Sequence, residues 1–190
     1  MKELEERILK DGHVIMPDIL KVDSFLNHQI DVALFEKMGA EFKKRFANKH
    51  INKILTIESS GIGVAVMAAR YFDYVPVVFV KKANSKILND GVYHTKVHSF
   101  TKGNDYDAQV SKNYLSDQDH VLIIDDFLAN GAAASGMIAL CKQAGATVEG
   151  VGIVIEKRFQ PGRQVLEAQG VQVESLAIID HFANGQVVFQ

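Results

Sequence analysis

An acidic pair directly after an apolar run carries the clearest chemistry in this sequence. Residues 121–124 are four consecutive branched apolar residues, a pattern typical of a strand buried on both faces of a parallel sheet. Asp125 and Asp126 follow at once. Ionised carboxylates only accept hydrogen bonds, which suits the vicinal hydroxyl groups of a ribose. Two carboxylates at a solvated strand end are the alternative interpretation.

The loop after this pair suits a phosphate group. A short Asn-Gly turn leads into an Ala-rich segment that is typical of a helix. Backbone N–H groups at a helix N-terminus and the helix dipole both favour an anion. Small side chains also let a phosphate approach the backbone; the loop consists of Ala129, Asn130, Gly131, Ala132 and Ala133. Strand, acidic pair and loop together therefore favour a sugar-phosphate site over a solvated strand end.

Two more strand ends carry groups that suit anions. Ser59, Ser60 and Gly61 lie between a predicted strand and a predicted helix, where backbone N–H groups bind anions. A plain helix N-cap by one of the serines is the alternative. Lys81 and Lys82 directly follow another apolar strand, and adjacent cations there can neutralise a diphosphate. We favour Lys81 for this role, with an ordinary solvated surface pair as the alternative.

Strands that alternate with helices must position these groups. Strands are predicted over residues 53–57, 75–80, 121–124 and 148–155, and helices near 63–71 and 132–144. This alternation predicts an α/β fold with a mostly parallel central sheet flanked by helices.

The N-terminal third adds two helices to this plan. The apolar residues Leu4, Ile8 and Leu9 mark a short amphipathic helix that should end near Gly12. Asp31 is a candidate N-cap for a longer helix. Its apolar positions follow helical spacing: Leu34, Phe35, Met38, Phe42 and Phe46. We interpret Phe42 and Phe46 as core or dimer-interface residues. Between Lys81 and Asn113 the pattern weakens, which indicates a long excursion containing a hairpin or mobile loop.

Bulk properties exclude several classes of protein. The 190 residues, of which 47% are hydrophobic and 23% charged, are enough for one sizeable core. A net charge of −2 gives no general attraction to nucleic acid or to an anionic membrane. No apolar run approaches the ~20 residues of a transmembrane helix, and the charged N-terminus is unlike a signal peptide. One cysteine excludes an intramolecular disulfide and fits a reducing cytoplasm.

The acidic pair and its loop resemble the phosphoribosyl-diphosphate signature of the type I phosphoribosyltransferases. The similarity to the bacterial xanthine phosphoribosyltransferases runs nearly end to end and includes segments 21–31, 56–61, 115–120 and 155–162. It is most specific in the stretch from Asp23 to Asp31 and in the loop that carries Lys157 and Phe159. The sequence departs from the family at the phosphate loop, where many relatives carry threonines. Ala132 and Ala133 offer only N–H groups there, and Ser135 is a candidate hydroxyl donor.

The resemblance implies a reaction and a fold. A base nitrogen of xanthine would displace pyrophosphate from 5-phosphoribosyl 1-diphosphate, giving xanthosine 5′-monophosphate. Asp125 and Asp126 would hold the ribose and stabilise positive charge on its ring, while loop 129–133 binds the 5′-phosphate. Magnesium would accompany the diphosphate, without a separate protein metal site. The implied fold is one phosphoribosyltransferase domain over 1–190, with a core at about 31–156 and a hood from about 10–30 and 157–190. A homodimer is also implied.

The same resemblance assigns base recognition to four residues. Lys157 only donates hydrogen bonds, so it would select a 6-oxo group over a 6-amino group, and Phe159 would stack on the purine. Leu20 and Asn27 would belong to the hood, with the Asn27 amide reading the 2-oxo group. Without the resemblance, Lys157 and Phe159 would be a surface lysine beside a core phenylalanine, and Asn27 would be a turn residue.

Two other functions remain open at this point. The same chemistry on guanine or hypoxanthine is the nearer one, and a catalytically idle sensor of phosphoribosyl diphosphate is the more distant one. A sensor would need a nucleic-acid-binding module, and no basic helix-turn-helix precedes residue 31. His94 and His98 lie in no spacing that defines a metal site, and Cys141 shares a helical face with apolar neighbours, as a small core residue does.

Overall fold

The strands and helices alternate along the chain as the sequence predicts. The computed structural model describes residues 1–83, 91–99 and 104–190. Its strands are β1 (His13–Ile15), β2 (Ile19–Lys21), β3 (Lys53–Ile57), β4 (Val77–Ala83), β5 (Val92–Ser99), β6 (Asn104–Ser111), β7 (His120–Leu128), β8 (Thr147–Lys157), β9 (Val173–Ala183) and β10 (Gln186–Phe189). Its α-helices are α1 (Lys2–Asp11), α2 (Val32–Arg45), α3 (Gly61–Ala69), α4 (Ala132–Ala144) and α5 (Gly162–Glu167).

One large sheet organises the molecule. Its strand order is β10-β9-β8-β7-β3-β4-β6-β5, and the run from β9 to β4 is parallel throughout. The edge strands β10, β6 and β5 pair antiparallel, and β1 and β2 form a separate two-stranded sheet. Strands that alternate with helices in this way make parallel neighbours. The predicted α/β class is confirmed.

Some predicted strand ends fall short of the observed ones. Strand β7 continues past Ile124 through the acidic pair, because Asp125 and Leu128 still pair in register with β8. Strand β4 likewise begins at Val77 and continues through both lysines to Ala83. Apolar runs mark only the buried part of a strand, whereas the hydrogen-bonded strand extends beyond that run.

A β-hairpin occupies much of the predicted excursion. Strands β5 and β6 pair from Val92↔Ser111 to Ser99↔Asn104. The hairpin prediction is therefore confirmed. The prediction of a mobile loop lies outside the described residues where it falls on 84–90 and 100–103.

Helices cover both faces of the sheet. On one face lies α2. Phe42, within this helix, and Phe46, at its C-terminal end, are fully buried in the core. Glycines in β8 make room for these rings: a Cβ at Gly150 would lie 2.4 Å from Phe46, and one at Gly152 would lie 2.8 Å from Phe42. Both phenylalanines are thus core residues.

Helix ends are set by local side chains. The Asp31 carboxylate accepts a hydrogen bond from the Leu34 N–H at 3.1 Å and so caps α2, as predicted. Leu4 and Ile8 bury the inner face of α1, whereas Leu9 is 58% exposed.

Helix α4 packs on the opposite face with Met137, Ile138 and Cys141 buried. Burial raises the pKa of the Cys141 thiol to about 12. The thiol is therefore a small apolar core group, as the sequence indicates.

The two ends of the chain meet beside the sheet. Helix α1 contacts β9 and β10, strand β1 contacts β10, and a π-helical turn over Asp23–Asn27 follows β2. The division into a core and a hood stays a prediction. Within the described residues, no helix has the length and apolar character needed to cross a membrane.

Candidate active site

A cavity of about 480 Å³ opens where the carboxyl ends of neighbouring strands meet. Strands β7, β3 and β4 are parallel and adjacent, so the groups that follow them reach the same edge of the sheet. The lining residues are Ile57, Glu58, Ser59, Ser60, Lys82, His98, Asp125, Asp126, Phe127, Leu128, Ala129, Asn130, Gly131, Ala132, Ala133 and Ala134. The acidic pair, residues 129–133 (the phosphate loop) and Ser59 with Ser60 (the serine loop) thus line one cavity.

The acidic pair forms a desolvated, negative part of this cavity. Asp125 is only 5% exposed, and its Oδ1 accepts the Asp126 N–H at 3.0 Å, while Asp126 Oδ1 accepts the Phe127 N–H at 2.9 Å. Burial, and then the charge of Asp126, raise the pKa of Asp125 well above its usual value. Burial, with a smaller contribution from Asp125, raises the pKa of Tyr106 to about 12. Such a place stabilises positive charge brought close to it.

The buried carboxyl of Asp125 predicts a pH-dependent stability. Its folded-state pKa lies above the ordinary 3.8, so the native state binds more protons and stability falls as pH rises from that value through the raised pKa. Asparagine does not titrate. We therefore expect Asp125→Asn to raise the melting temperature more at pH 7 than at pH 4. Thermal unfolding at both pH values checks this, with exposed Asp117→Asn as control; an equal gain at both pH values contradicts it.

The phosphate loop is held in shape before any ligand arrives. Asn130 Oδ1 accepts the Ala132 N–H at 3.1 Å, and Gly131 Ο accepts the Ser135 N–H at 2.9 Å. Gly131 caps α4 with φ +83°, a left-handed conformation that favours glycine. The N–H groups of the first helical turn have no partner within the helix. Since Asn130 takes the Ala132 N–H, Ala133 and Ala134 are the backbone donors of this turn that face the cavity.

Ser135 does not supply the hydroxyl that the family's threonines offer. Its Oγ accepts a hydrogen bond from Gln169 Nε2 at 3.0 Å, and it is not among the cavity-lining residues. An anion in this loop would therefore meet backbone N–H groups rather than the Ser135 hydroxyl.

The serine loop lines the same cavity as the phosphate loop. Ser60 is the N-cap of α3 without a capping hydrogen bond from its side chain. The Glu58–Ser59 peptide bond is cis, and Glu58 Oε1 accepts the Lys82 N–H at 2.5 Å. This hydrogen bond ties the loop to β4.

Gly61 lies behind the cavity and has a packing role. A Cβ there would lie 2.3 Å from Thr56 Oγ1 and 3.4 Å from the Ile124 carbonyl oxygen. Thr56 is fully buried, and its hydroxyl has no hydrogen-bond partner within the part of the chain that the structure describes. The absence of a side chain at Gly61 lets α3 begin directly against β3 and β7.

This close approach predicts coupling between two residues. Gly61→Ala should lower the free energy of unfolding by about 1–3 kcal/mol, because the added methyl group overlaps Thr56 Oγ1. Thr56→Ala in the same chain removes that oxygen and should restore most of the loss. Denaturant unfolding of the two single variants and the double variant measures the coupling. Additive losses would show that the clash lies elsewhere.

The structure brings Lys82 to the cavity, whereas the sequence analysis favours Lys81. Lys82 lines the cavity, and its charge partly offsets the rise in the pKa of Asp125. Lys81 lines a separate cavity of about 550 Å³, which also includes Phe79 and Tyr114. Successive strand residues point to opposite faces, so only one of two adjacent lysines reaches the site.

Sequence reasoning missed two lining residues with useful chemistry, His98 and Phe127. His98 lies on β5, with its Nδ1 2.6 Å from Asp105 Oδ1. Nothing local marks His98, because only the packing of the hairpin brings it to this edge. Across residues 1–83, 91–99 and 104–190, no group of three or more His, Cys, Asp or Glu side chains is placed to hold a metal.

The four residues expected to bind the base do not line this cavity. Lys157 Nζ donates to the Asp18 carbonyl oxygen at 2.6 Å and lies 5.8 Å from the centre of the Phe127 ring. Burial lowers the pKa of Lys157. Since Phe127 lines the cavity, Lys157 stands just behind its wall and joins it to the turn between β1 and β2.

The other three residues expected to bind the base differ in their exposure and contacts. Phe159 is 44% exposed and packs edge-to-face on Phe182 at 5.4 Å. Leu20 is 6% exposed and packs in the core, so only its backbone is available to a ligand. Asn27 is exposed at the end of the π-helical turn.

Solved structures share this fold. Adenine phosphoribosyltransferase from Rhodothermus marinus aligns with a TM-score of 0.74 at 22% identity, covering 94% of this chain and 100% of that one. The adenine phosphoribosyl transferase of Trypanosoma brucei, in complex with AMP, pyrophosphate and ribose-5-phosphate, aligns with a TM-score of 0.75 at 21% identity, covering 92% and 78%. At such identities the likeness concerns the fold alone, which is that of the type I phosphoribosyltransferases.

Much closer relatives exist by sequence. No protein-family model matches the chain. Xanthine phosphoribosyltransferase of Clostridium novyi is 57% identical over 190 residues, covering all of both chains. That of Ruminiclostridium cellulolyticum is 58% identical over 189 residues, covering 100% of this chain and 99% of the relative. Full-length identity at this level, on the expected fold and with the expected cavity, shows that the chain belongs to the xanthine phosphoribosyltransferase family.

Proposed function

We propose that this chain converts xanthine and 5-phosphoribosyl 1-diphosphate to xanthosine 5′-monophosphate and pyrophosphate. The observation that carries the proposal is one cavity lined by an acidic pair and by two strand-to-helix loops. A ribose with a phosphate at one end and a diphosphate at the other needs carboxylates for its hydroxyl groups and two groups of N–H donors for its anions. The names of the full-length relatives support xanthine as the base.

The phosphate loop and the serine loop would hold the two ends of the sugar. The 5′-phosphate would accept hydrogen bonds from the N–H groups of loop 129–133, helped by the α4 dipole. The diphosphate would lie against Ser59 and Ser60, with the Lys82 ammonium offsetting its charge. Positions at both ends fix the anomeric carbon over the acidic pair, and such positioning supplies much of the rate.

The acidic pair would act on the charge that develops in the ring. As the bond from the anomeric carbon to pyrophosphate breaks and the bond to the base nitrogen forms, the ribose becomes cationic. The carboxylates of Asp125 and Asp126 accept hydrogen bonds from the ribose hydroxyls and stabilise that charge electrostatically. Asp126 is the more exposed of the two.

The residues present fit a magnesium ion that arrives with the diphosphate. Asp125 and Asp126 offer carboxylate oxygens, which magnesium prefers, and the described residues hold no larger group of ligands for it. One or two carboxylates plus substrate phosphates are its usual ligands. When bound, the ion would neutralise part of the charge of the leaving pyrophosphate.

Base recognition would take place beside Phe127. Phe159 would stack on the purine, and Lys157 would donate to the 6-oxo group in place of its hydrogen bond to Asp18. The Leu20 backbone and the Asn27 amide would complete the pocket. The contact between Lys157 and the turn before β2 supports this placement, because it joins the two segments that carry these residues.

We also propose that the chain forms a homodimer and acts in the cytoplasm. The family resemblance supports a homodimer, and the single cysteine suits a reducing compartment. Light scattering of the purified protein tests the first: a mass near twice 21.0 kDa is expected, and a monomer at working concentration contradicts it.

Steady-state turnover with three free bases tests the proposed activity. With saturating phosphoribosyl diphosphate and magnesium, kcat/KM should be highest for xanthine, ahead of guanine and hypoxanthine. A higher value for guanine or hypoxanthine would reassign the substrate. No turnover with any base would instead favour a sensor of phosphoribosyl diphosphate.

Asn27→Ala should erode the preference for xanthine over hypoxanthine. Only xanthine carries an oxo group at position 2, so loss of the amide removes a hydrogen bond specific to it. A neutral hydrogen bond contributes about 0.5–1.5 kcal/mol, so the ratio of the two kcat/KM values should fall by roughly threefold to tenfold. Equal losses on both bases would show that Asn27 does not read position 2.

A further inference from the structure

Glu156 and Arg163 form a buried ion pair at the base of segment 157–161, which carries Lys157 and Phe159, two residues proposed to bind the base. Glu156 is 1% exposed, and its Oε1 and Oε2 accept hydrogen bonds from Arg163 Nε at 2.7 Å and Arg163 Nη2 at 2.6 Å. The Ser175 hydroxyl also donates to Glu156 Oε2. Arg163 Nη1 reaches the Val173 carbonyl oxygen and Glu167, both at 3.1 Å. The pair is bidentate, so its geometry is directional as well as electrostatic.

This pair fixes where the segment begins. Glu156 is paired in the sheet with Leu128 on one side and Ile178 on the other. Its side chain points towards Arg163 in α5, and the next side chain, that of Lys157, points towards Phe127 and Asp18. Successive side chains along a strand point to opposite faces, so Glu156 and Lys157 are expected to point in opposite directions. The orientation of Lys157 therefore follows from the anchoring of its neighbour.

The far end of the segment rests on the phosphate loop. The Gly162 N–H donates to the Ala129 carbonyl oxygen at 2.9 Å, and a Cβ at Gly162 would lie 2.4 Å from that oxygen. The segment 157–161 thus spans the short distance between the sheet and the start of α5. Arg163 follows Gly162 and pairs back to Glu156, so the pair closes this loop at its base.

We propose that Glu156 and Arg163 are positioning residues for base recognition, holding segment 157–161 so that Lys157 and Phe159 meet the purine. The inference rests on the proposed function. A buried carboxylate is costly, and an apolar pair of similar size fills such a site equally well, so stability alone does not explain the choice. A bidentate pair does what an apolar pair does not: it fixes the angle between β8 and α5.

Arg163→Lys tests the role, because it keeps the charge and removes the planar fork. The KM for xanthine should rise by about tenfold to a hundredfold, as expected when a remote change misplaces binding groups. The KM for phosphoribosyl diphosphate and kcat should stay within about twofold. Glu167→Gln is the matched control, since it removes the exposed partner of Arg163 and leaves the bidentate pair intact. All kinetic values of that control should be unchanged.

A second variant keeps the test decisive if Arg163→Lys does not fold. Glu156→Gln combined with Arg163→Gln removes both charges, so neither is left buried without a partner, and the same selective rise in the KM for xanthine is expected. Equal increases in both KM values, or a lower melting temperature with an unchanged KM for xanthine, overturn the proposal.

Lys157→Met separates this inference from the proposed function. If Lys157→Met raises the KM for xanthine and Arg163→Lys does not, the positioning role is wrong and the base site stands. If Arg163→Lys raises it and Lys157→Met does not, the assignment of Lys157 to the base fails, and with it the proposal that the pair acts through Lys157.

Discussion

Asp126→Asn is expected to lower kcat by about two to three orders of magnitude while the KM for xanthine changes little. Removal of one electrostatic contact made in the transition state typically costs ~2.7–4 kcal/mol. Asparagine keeps the shape and an acceptor oxygen for the Phe127 N–H, so the loss is mainly one of charge. The charge matters most when the ribose ring becomes cationic.

Stability provides the internal control for this variant. The charge of Asp126 is one cause of the raised pKa of Asp125, so its removal relieves repulsion beneath the cavity. The melting temperature of Asp126→Asn should therefore equal or exceed that of the wild type. Asp117→Asn, an exposed carboxylate outside the cavity, should keep full turnover. Unchanged kcat in folded Asp126→Asn would remove this residue from the mechanism.

Lys82→Met should raise the KM for phosphoribosyl diphosphate by about tenfold to a hundredfold. Hydrogen bonds to charged groups contribute ~1.5–3 kcal/mol, and the Lys82 ammonium is the cation that lines the cavity near the serine loop. Methionine keeps the length and apolar stem of the side chain. The effect should fall on the diphosphate substrate rather than on the base, as initial-rate kinetics with each substrate varied in turn will show.

The neighbouring lysine offers a matched comparison. Lys81→Met changes the same residue type on the same strand but on the opposite face, beside Phe79. Its kinetic constants should stay within about twofold of the wild type. A larger effect from Lys81→Met than from Lys82→Met would mean that the face of β4 assigned to the site is wrong.

These two lysines show where sequence reasoning reaches its limit. The apolar run before them predicts the strand, but the face that each presents depends on backbone pairing beyond that run. Lys81 pairs with Gln109 and Lys82 with Ala108, so β6, far along the chain, sets their orientation. Long-range pairing of this kind leaves no local pattern.

Helix α4 shows the opposite case. Its bounds agree with the prediction because every determinant is local: Ala-rich sequence favours the helix, and Gly131 and Gly145 both adopt the left-handed conformation at its ends. The acidic pair and its loop are predictable for the same reason. They follow one strand and begin one helix, and parallel neighbours bring the serine loop to the same edge.

The residues proposed to bind the base fall between these cases. Lys157 and Phe159 follow a predicted strand, so their place after β8 is readable from the sequence. The Glu156–Arg163 pair that anchors them is not, because Arg163 lies in a helix of only six residues with little periodicity of its own. Asn27 ends a π-helical turn that no sequence pattern indicates.

A crystal structure with xanthine, magnesium and a non-reactive analogue of phosphoribosyl diphosphate would locate every ligand in the site. We expect the 5′-phosphate on loop 129–133, the ribose hydroxyls on Asp125 and Asp126, and the diphosphate between Ser59, Ser60 and Lys82. Xanthine should lie on Phe159 with its 6-oxo group at Lys157. A diphosphate bound beside Lys81, or a base bound away from Lys157 and Phe159, would contradict the account.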